Sequence, residues 1–482
     1  MSFSSISYLV FFTIVCGFMA LTNILKPKLG FEKTQIARHS FLLIASYVFY
    51  GWWDFRFCFL MLFLTLVAYF TALTVQKETK YRKFALVLGV AVPLIVLGIF
   101  KYFNFFVDSF VSAFGINSSY TLSIILPVGI SFYTFQSLSY TIDVSRGKLE
   151  AQKSFLDLAL YISFFPQLVA GPIVKAGDFI PQLKEDRSIS LKNIEKGIQI
   201  FFVGMFKKVV IADNISVFVD EVFNNPKIFD GITVLLAVVA YAIQIYCDFS
   251  GYSDMAIGSA KCIGFDINRN FNLPYISRNV SEFWKRWHIS LSTWLMEYLY
   301  IPLGGNRKGK VRTYINLVIT MLLGGLWHGA SWTFVAWGLY HGLGLCVHKI
   351  YLVIRKRDKH YAGKPVTNAI SAVFTFVFVC IGWVFFRANT FENAWLVLKA
   401  IFCMQNGISH PFFWAFVGIA FVIAETLVAA LKSKKNQLAK IEDSYLSLPL
   451  DKIFGLTIFA LLVFVTIGLA YTGSNPFIYF QF

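Results

Sequence analysis

Charge is scarce in this chain: Asp, Glu, Lys and Arg together make up 14% of its 482 residues. No polar stretch of ordinary domain size separates the apolar runs, which excludes a water-soluble enzyme. No CxxC pair and no Cys/His ligand spacing joins the seven cysteines (Cys16, Cys58, Cys247, Cys262, Cys346, Cys380, Cys403), so neither a disulfide framework nor a metal site is expected. No charged residue precedes the first apolar run and no small-residue cleavage site follows it. Ser5–Leu25 therefore reads as a retained helix rather than a secretory signal, with its N-terminus outside. Acidic residues are the scarcer sign, 26 against 43 Lys and Arg, for a net charge of +17. In so apolar a chain the basic excess is assigned to cytoplasmic loops and not to nucleic-acid binding.

What is abundant is hydrocarbon. Hydrophobic residues make up 57% and aromatic residues 18%, and mean hydropathy is +0.64. Apolar runs of about 20 residues recur, each long enough to cross ~30 Å of lipid as helix, and a helix satisfies its own backbone there. The expected class is an all-α polytopic membrane protein, one integral domain over 1–482. N-terminal spans occupy 1–119, a less regular core 120–350, and C-terminal spans with an extracytoplasmic aromatic tail 351–482. Ser5–Leu25, Phe41–Trp53, Phe57–Val75 and Phe84–Val107 alternate with basic residues such as Lys26, Lys28, Lys80 and Arg82. Pro93 predicts a kink in the fourth. The middle is less regular. Leu126–Gln136 (LPVGISFYTFQ) and Phe164–Ile173 (FFPQLVAGPI) are apolar but broken by Pro, Gly and Gln, and basic residues follow both. Two successive apolar segments ending on one side imply a re-entrant element buried in protein. Lys192–Val210 reads as an amphipathic interfacial helix ending at Lys207-Lys208, and Ile232–Tyr246 as a clear span. Val373–Phe386, Phe412–Leu431 and Phe454–Ala470 complete the set.

Polar groups inside this apolar chain are the functional candidates. Met321–Gly344 (MLLGGLWHGASWTFVAWGLYHGLG) holds His328 and His341. A histidine satisfied by a neighbouring helix would serve packing alone; the glycines around His328 also suit a helix broken beside a cavity. If Arg312 lies at the cytoplasmic surface, sixteen helical residues carry His328 about 24 Å inward, past the midplane. His341 lies thirteen residues on, on another face of a continuous helix, as a supporting or merely packed group. Ser281–Leu295 (SEFWKRWHISLSTWL) reads as one helix with Trp284, His288, Ser292 and Leu295 on one face and Trp287 on the next. Lys285 and Arg286 mark its cytoplasmic entry, so His288 is within reach of an anionic ligand. Asp248 and Asp254 end a span; Asp254 suits the cap of a following helix, and Asp248 is open between structure and acid/base work. Arg307 and Lys308 sit in a glycine-rich basic turn that also fits an ordinary cytoplasmic loop. The uncharged tail Pro476–Phe482 (PFIYFQF) is either an interfacial anchor or a docking peptide.

LPVGISFYTFQ, FFPQLVAGPI, YCDFSGYSDMA, FWKRWHISLSTWLMEYLYIPLGG and GGLWHGASWTFVAWGLYHG, in this order from about Leu126 to Gly342, resemble the membrane-bound O-acyltransferase family in its bacterial alginate O-acetylation branch. The resemblance implies about ten to twelve transmembrane helices, with re-entrant and interfacial pieces, around a funnel or tunnel. It implies catalysis at His328 of the WHG motif and a second functional position at His288 of WHxS. Trp287, Ser292, Trp327, His341 and Asp248 are expected to support them. Lys285, Arg286, Arg307 and Lys308 are assigned to the phosphates of acetyl-coenzyme A, the expected donor, by charge and topology. Neither a bound cofactor nor a metal is expected. The implied acceptor is an extracytoplasmic polysaccharide such as alginate, and the setting is the bacterial cytoplasmic membrane with its lipid. No extracytoplasmic segment is long enough for a serine-esterase domain. A separate SGNH-type acetyltransferase partner is therefore expected to finish the transfer, docking on Phe477, Tyr479, Phe480 and Phe482. D-Alanyl transfer to teichoic acid from a carrier protein is the alternative. A transporter is less well supported, because the hydropathy pattern has no internal repeat.

Overall fold

The computed structural model describes residues 1–77, 79–115, 122–355, 365–435, 448–473 and 477–478. Among these the regular elements are helices, with a single isolated β-bridge between Phe229 and Ile408. Six described helices are long and apolar enough to cross a bilayer: Ile6–Leu29, Arg56–Gln76, Arg82–Phe114, Gly231–Cys262, Pro365–Arg387 and Phe413–Leu431. The protein is a multi-pass, all-α membrane protein. Lys310–His328 and Trp332–Ile354 match these helices in length, with 19 and 23 residues, but their glycine, tryptophan and histidine content lowers their hydropathy. The chain forms two compact units, Met1–Phe201 with Tyr252–Asn268, and Phe202–Gly251 with Arg269–Phe482. Two of the three crossings between the units fall inside helices, Leu191–Met205 and Gly231–Cys262, where composition gives no sign of a boundary, and the third falls in the loop at Asn268 and Arg269.

In the first unit Pro93 lies inside the helix Arg82–Leu97, and a π-turn, Gly98–Tyr102, joins that helix to Phe103–Phe114. The two broken motifs meet each other. Gly129 starts the Ile130–Ser145 helix with φ 74°, and a Cβ there would lie 2.6 Å from the Leu168 carbonyl oxygen, so only glycine fits. Nearly the whole of Ile130–Ser145 is buried, and short helices follow at Phe155–Ser163, Phe165–Leu168 and Ala176–Lys184. This agrees with irregular backbone being tolerated where protein encloses it.

The second unit departs from the sequence-based expectation in three places. The helix expected to end at Lys207-Lys208 continues through a π-turn, Phe206–Ala212, into Asp213–Asn224. The two lysines mark no surface because both are buried and paired. Lys207 Nζ lies 2.7 Å from Glu425; Lys208 Nζ lies 2.8 Å from Asp213 and also donates to Asp248. Second, the span containing Asp248 does not stop there. Gly231–Cys262 runs on for 32 residues, so Asp254 lies within a helix and not at the start of one. Third, Ser281–Leu295 is two helices, Val280–Arg286 and Ile289–Leu295, broken at His288, whose backbone is left-handed (φ 42°, ψ 56°). The expected face shared by Trp284, His288 and Ser292 therefore does not exist.

Candidate functional site

The WHG histidine is the last residue of Lys310–His328, and an extended Gly329 turns the chain toward Trp332–Ile354. Ser331 caps that second helix, its Oγ accepting from the Thr333 amide. The two helices form a hairpin whose closeness depends on Gly325 and Gly338. A Cβ on Gly325 would sit 2.2 Å from the Phe334 carbonyl oxygen, and one on Gly338 would sit 2.3 Å from that of Met321. His328 and His341 thus lie on different helices rather than on two faces of one.

His328 is 3% exposed, and four aromatic rings surround it: Trp327 at 5.0 Å between centroids, Trp337 at 5.1 Å, Phe386 at 5.2 Å and His288 at 6.3 Å. His288 is fully buried, with Phe249 edge-on at 4.7 Å and Trp327 at 5.8 Å. Its Nδ1 is 3.2 Å from Asn270 Oδ1, while its Nε2 has no hydrogen-bond partner among the described residues. The two histidines of the sequence motifs therefore face one another in an aromatic enclosure. Enclosure of this kind strengthens any polar interaction made inside it and costs heavily for a group left unpaired.

The supporting residues divide. Trp327 touches both histidines. Trp287 packs behind them against Phe271 at 5.0 Å and Trp383 at 4.9 Å, and Ser292 Oγ donates to the Trp287 carbonyl. His341 is fully buried between Trp337 at 4.9 Å and Trp284 at 5.3 Å, with neither ring nitrogen hydrogen-bonded among the described residues. Trp337 stands between it and His328. Asp248 reaches neither histidine; it accepts from Lys208 and from the Ile478 amide at 3.0 Å. The expected donor-binding residues lie apart. Lys285 is exposed, and Arg286 is held by Glu282 at 3.0 Å and by the Asn272 carbonyl at 3.1 Å. Arg307 and Lys308 occupy an exposed turn pinned by Asn316 Nδ2, which donates to the Gly305 carbonyl. No group of His, Cys, Asp and Glu capable of holding a metal occurs among the described residues.

The structure corrects the expectation for Phe477 alone among the docking residues. Phe477 is 3% exposed and packs on Phe249 at 5.6 Å, so its ring is committed to the interior and presents nothing to a partner. Tyr479, Phe480 and Phe482 lie outside the described residues. Sequence reasoning missed Asn270, Trp337 and Phe386. Asn270 lies in Arg269-Asn270-Phe271-Asn272, which carries no period of helix or strand; Phe386 belongs to Pro365–Arg387, a plain span by composition.

A family model for the membrane-bound O-acyltransferases matches residues 42–389, enclosing both histidines and the rings around them. The chain belongs to this family. As a member of the membrane-bound O-acyltransferases it is an acyltransferase. Its relatives include the probable alginate O-acetylase AlgI of Pseudomonas aeruginosa, 45% identical over 76% of this chain and 70% of that one. The peptidoglycan O-acetyltransferase of Helicobacter pylori is 38% identical over 79% of this chain and 76% of its own length. The teichoic acid D-alanyltransferase of Bacillus subtilis is more distant, 28% identical over 55% of this chain and 70% of its own.

Proposed function

We propose that this acyltransferase is an O-acetyltransferase of the bacterial cytoplasmic membrane. It takes acetyl groups from acetyl-coenzyme A on the cytoplasmic side and delivers them, through an extracytoplasmic acetyltransferase partner, to hydroxyls of a cell-surface polysaccharide such as alginate. The observation that carries this reading is the pair His288 and His328, both buried, with ring centroids 6.3 Å apart, on the two motifs of the family segment. The higher identity to O-acetylating relatives than to a D-alanyl-transferring one supports acetyl as the group moved.

The chemistry follows from the enclosure. A hydroxyl is a weak nucleophile at neutral pH, and a positioned neutral imidazole removes its proton as the oxygen attacks a thioester carbonyl. His328 fills that role, acting on the acceptor or first receiving the acyl group itself; on either route the C–S bond breaks, coenzyme A leaves as its thiolate, and the thiolate takes up the proton removed from the nucleophile. Trp327 and Trp337 hold its ring in place. The exposed Lys285, Arg307 and Lys308 remain available to the phosphates of the donor; Arg286, already paired with Glu282, orders the entry instead.

Proteoliposomes holding the full chain and labelled acetyl-coenzyme A test this directly. Wild type should consume the donor, and His328→Ala should lose at least roughly 100-fold in rate, the usual share of a general base. Full activity in His328→Ala overturns the assignment. Turnover of a carrier-bound D-alanyl thioester in place of acetyl-coenzyme A overturns the choice of donor.

A further inference from the structure

The position of one proton can be read from hydrogen bonds around Asn270, a fully buried residue in the loop before Pro274. A backbone N–H can only donate, and the Ser290 amide points at Asn270 Oδ1 at 3.2 Å. That fixes which end of the Asn270 amide is oxygen, a choice that otherwise has to be assigned from the surrounding network. Ser290 Oγ donates to the same oxygen at 2.9 Å. The third group on that oxygen is His288 Nδ1 at 3.2 Å, and an oxygen can only accept, so Nδ1 carries hydrogen. In the neutral ring Nε2 is then a bare lone pair. It is buried and has no hydrogen-bond partner among the described residues.

The backbone repeats the arrangement. The Ile289 amide donates 2.9 Å to the Asn270 carbonyl, so one residue grips the corner from both its main chain and its side chain. The corner needs gripping, because a non-glycine residue with φ 42° is strained and persists only where its surroundings impose it. Around the ring stand Phe249 from Gly231–Cys262, Phe271 from the loop, and Trp327 and His328 from Lys310–His328; His328 is the titratable group among them.

We infer that Asn270 is a positioning residue that fixes His288 in the Nδ1–H form and presents Nε2 to the reacting groups as a hydrogen-bond acceptor. This rests on the proposed role of the histidine pair. It also narrows what His288 can do, since a neutral ring held this way accepts a hydrogen at Nε2 and cannot support an oxyanion there. Support for the oxyanion must come from another donor.

The test compares wild type, His288→Ala, Asn270→Ala and Asn270→Asp as full-length proteins in proteoliposomes supplied with acetyl-coenzyme A, following rate against pH and thermal melting. Asn270→Asp keeps an acceptor oxygen and adds a negative charge, which favours the imidazolium. The acid limb of its rate profile should move to higher pH, with activity at the new plateau within about tenfold of wild type. Asn270→Ala should lose roughly ten- to a hundredfold in kcat with KM changed less than about threefold. If Asn270→Ala fails to fold, the Asp variant still decides. An Asp variant with an unmoved acid limb, or an Ala variant with wild-type kcat, overturns the inference. Full activity in His288→Ala overturns the inference together with the proposed site.

Discussion

At the scale of single residues, burial alone does not distinguish a working histidine from a packed one. His288 and His341 are both fully buried, yet one ring is held by Asn270 and the other rests among tryptophan and phenylalanine faces. A buried polar ring without partners gains nothing from its nitrogens. His341→Phe should therefore melt no lower than wild type and keep acetyl transfer within about tenfold, in contrast to His328→Ala; a loss as deep as that of His328→Ala would move His341 into the chemistry. Lys208 presents the opposite case, a buried cation whose partners are Asp213 and Asp248. Removing one member strands charge in a dry interior, so Lys208→Met should cost about 3–5 kcal/mol, read as a lower melting temperature in detergent. An unchanged melting curve would place that cluster in water.

At the scale of elements, the sequence exposes the motifs but not their joints. Trp284, Trp287, His288, Leu291 and Trp294 follow helical spacing, and neither Gly nor Pro interrupts them, so the break at His288 leaves no local mark. Its cause is tertiary: the loop carrying Asn270 bonds the corner from outside. The full length of Gly231–Cys262 is hidden for the mirror reason, since Asp248 and Gly251 look like a terminus when the buried Lys208 on the one and the close approach of the Gly204 carbonyl to the other cannot be seen. The His328 hairpin is the more legible element, because small residues announce close backbone approach. Gly338→Val places side-chain carbon on the Met321 carbonyl. It should lower the yield of monodisperse protein and cost about 1–3 kcal/mol or more in stability, the usual range for overpacking. Size-exclusion profiles and melting curves check this, and wild-type behaviour would show that the hairpin can spread.

At the scale of the whole molecule, composition settles the class. The number and placing of apolar runs foretell helices at 6–29, 56–76, 82–114, 365–387 and 413–431 to within a few residues at most ends. The division into two units is invisible, because two of its three crossings lie within continuous helix and the third, between Asn268 and Arg269, has no Gly or Pro beside it. Also invisible is the return of the C-terminal segment. The Tyr471 amide donates to the Val209 carbonyl, Asn214 bonds the Leu469 carbonyl, and Phe477 lies against Phe249, the ring that stands edge-on to His288. An exposed docking peptide could be removed without harm to the fold, but a buried phenylalanine cannot. Phe477→Ala should cost about 3–5 kcal/mol, the usual loss for a core phenylalanine, and should depress acetyl-coenzyme A turnover even where no partner protein is supplied. Normal melting and turnover, with polymer acetylation lost, would return Phe477 to the role of a partner contact.

The left-handed backbone at His288 also makes the position suited to chemical rescue. Glycine adopts φ 42° without strain, so His288→Gly asks nothing new of the main chain, and Asn270 can still hold Ser290 and Ile289. What the substitution leaves is a hole the size of one imidazole, walled by Phe249, Phe271 and Trp327, and enclosed apolar holes of this kind take up small molecules from solution. Free imidazole in the buffer should restore part of the lost turnover in a saturable way. N-methylimidazole, which cannot both donate to Asn270 and offer a lone pair, should not.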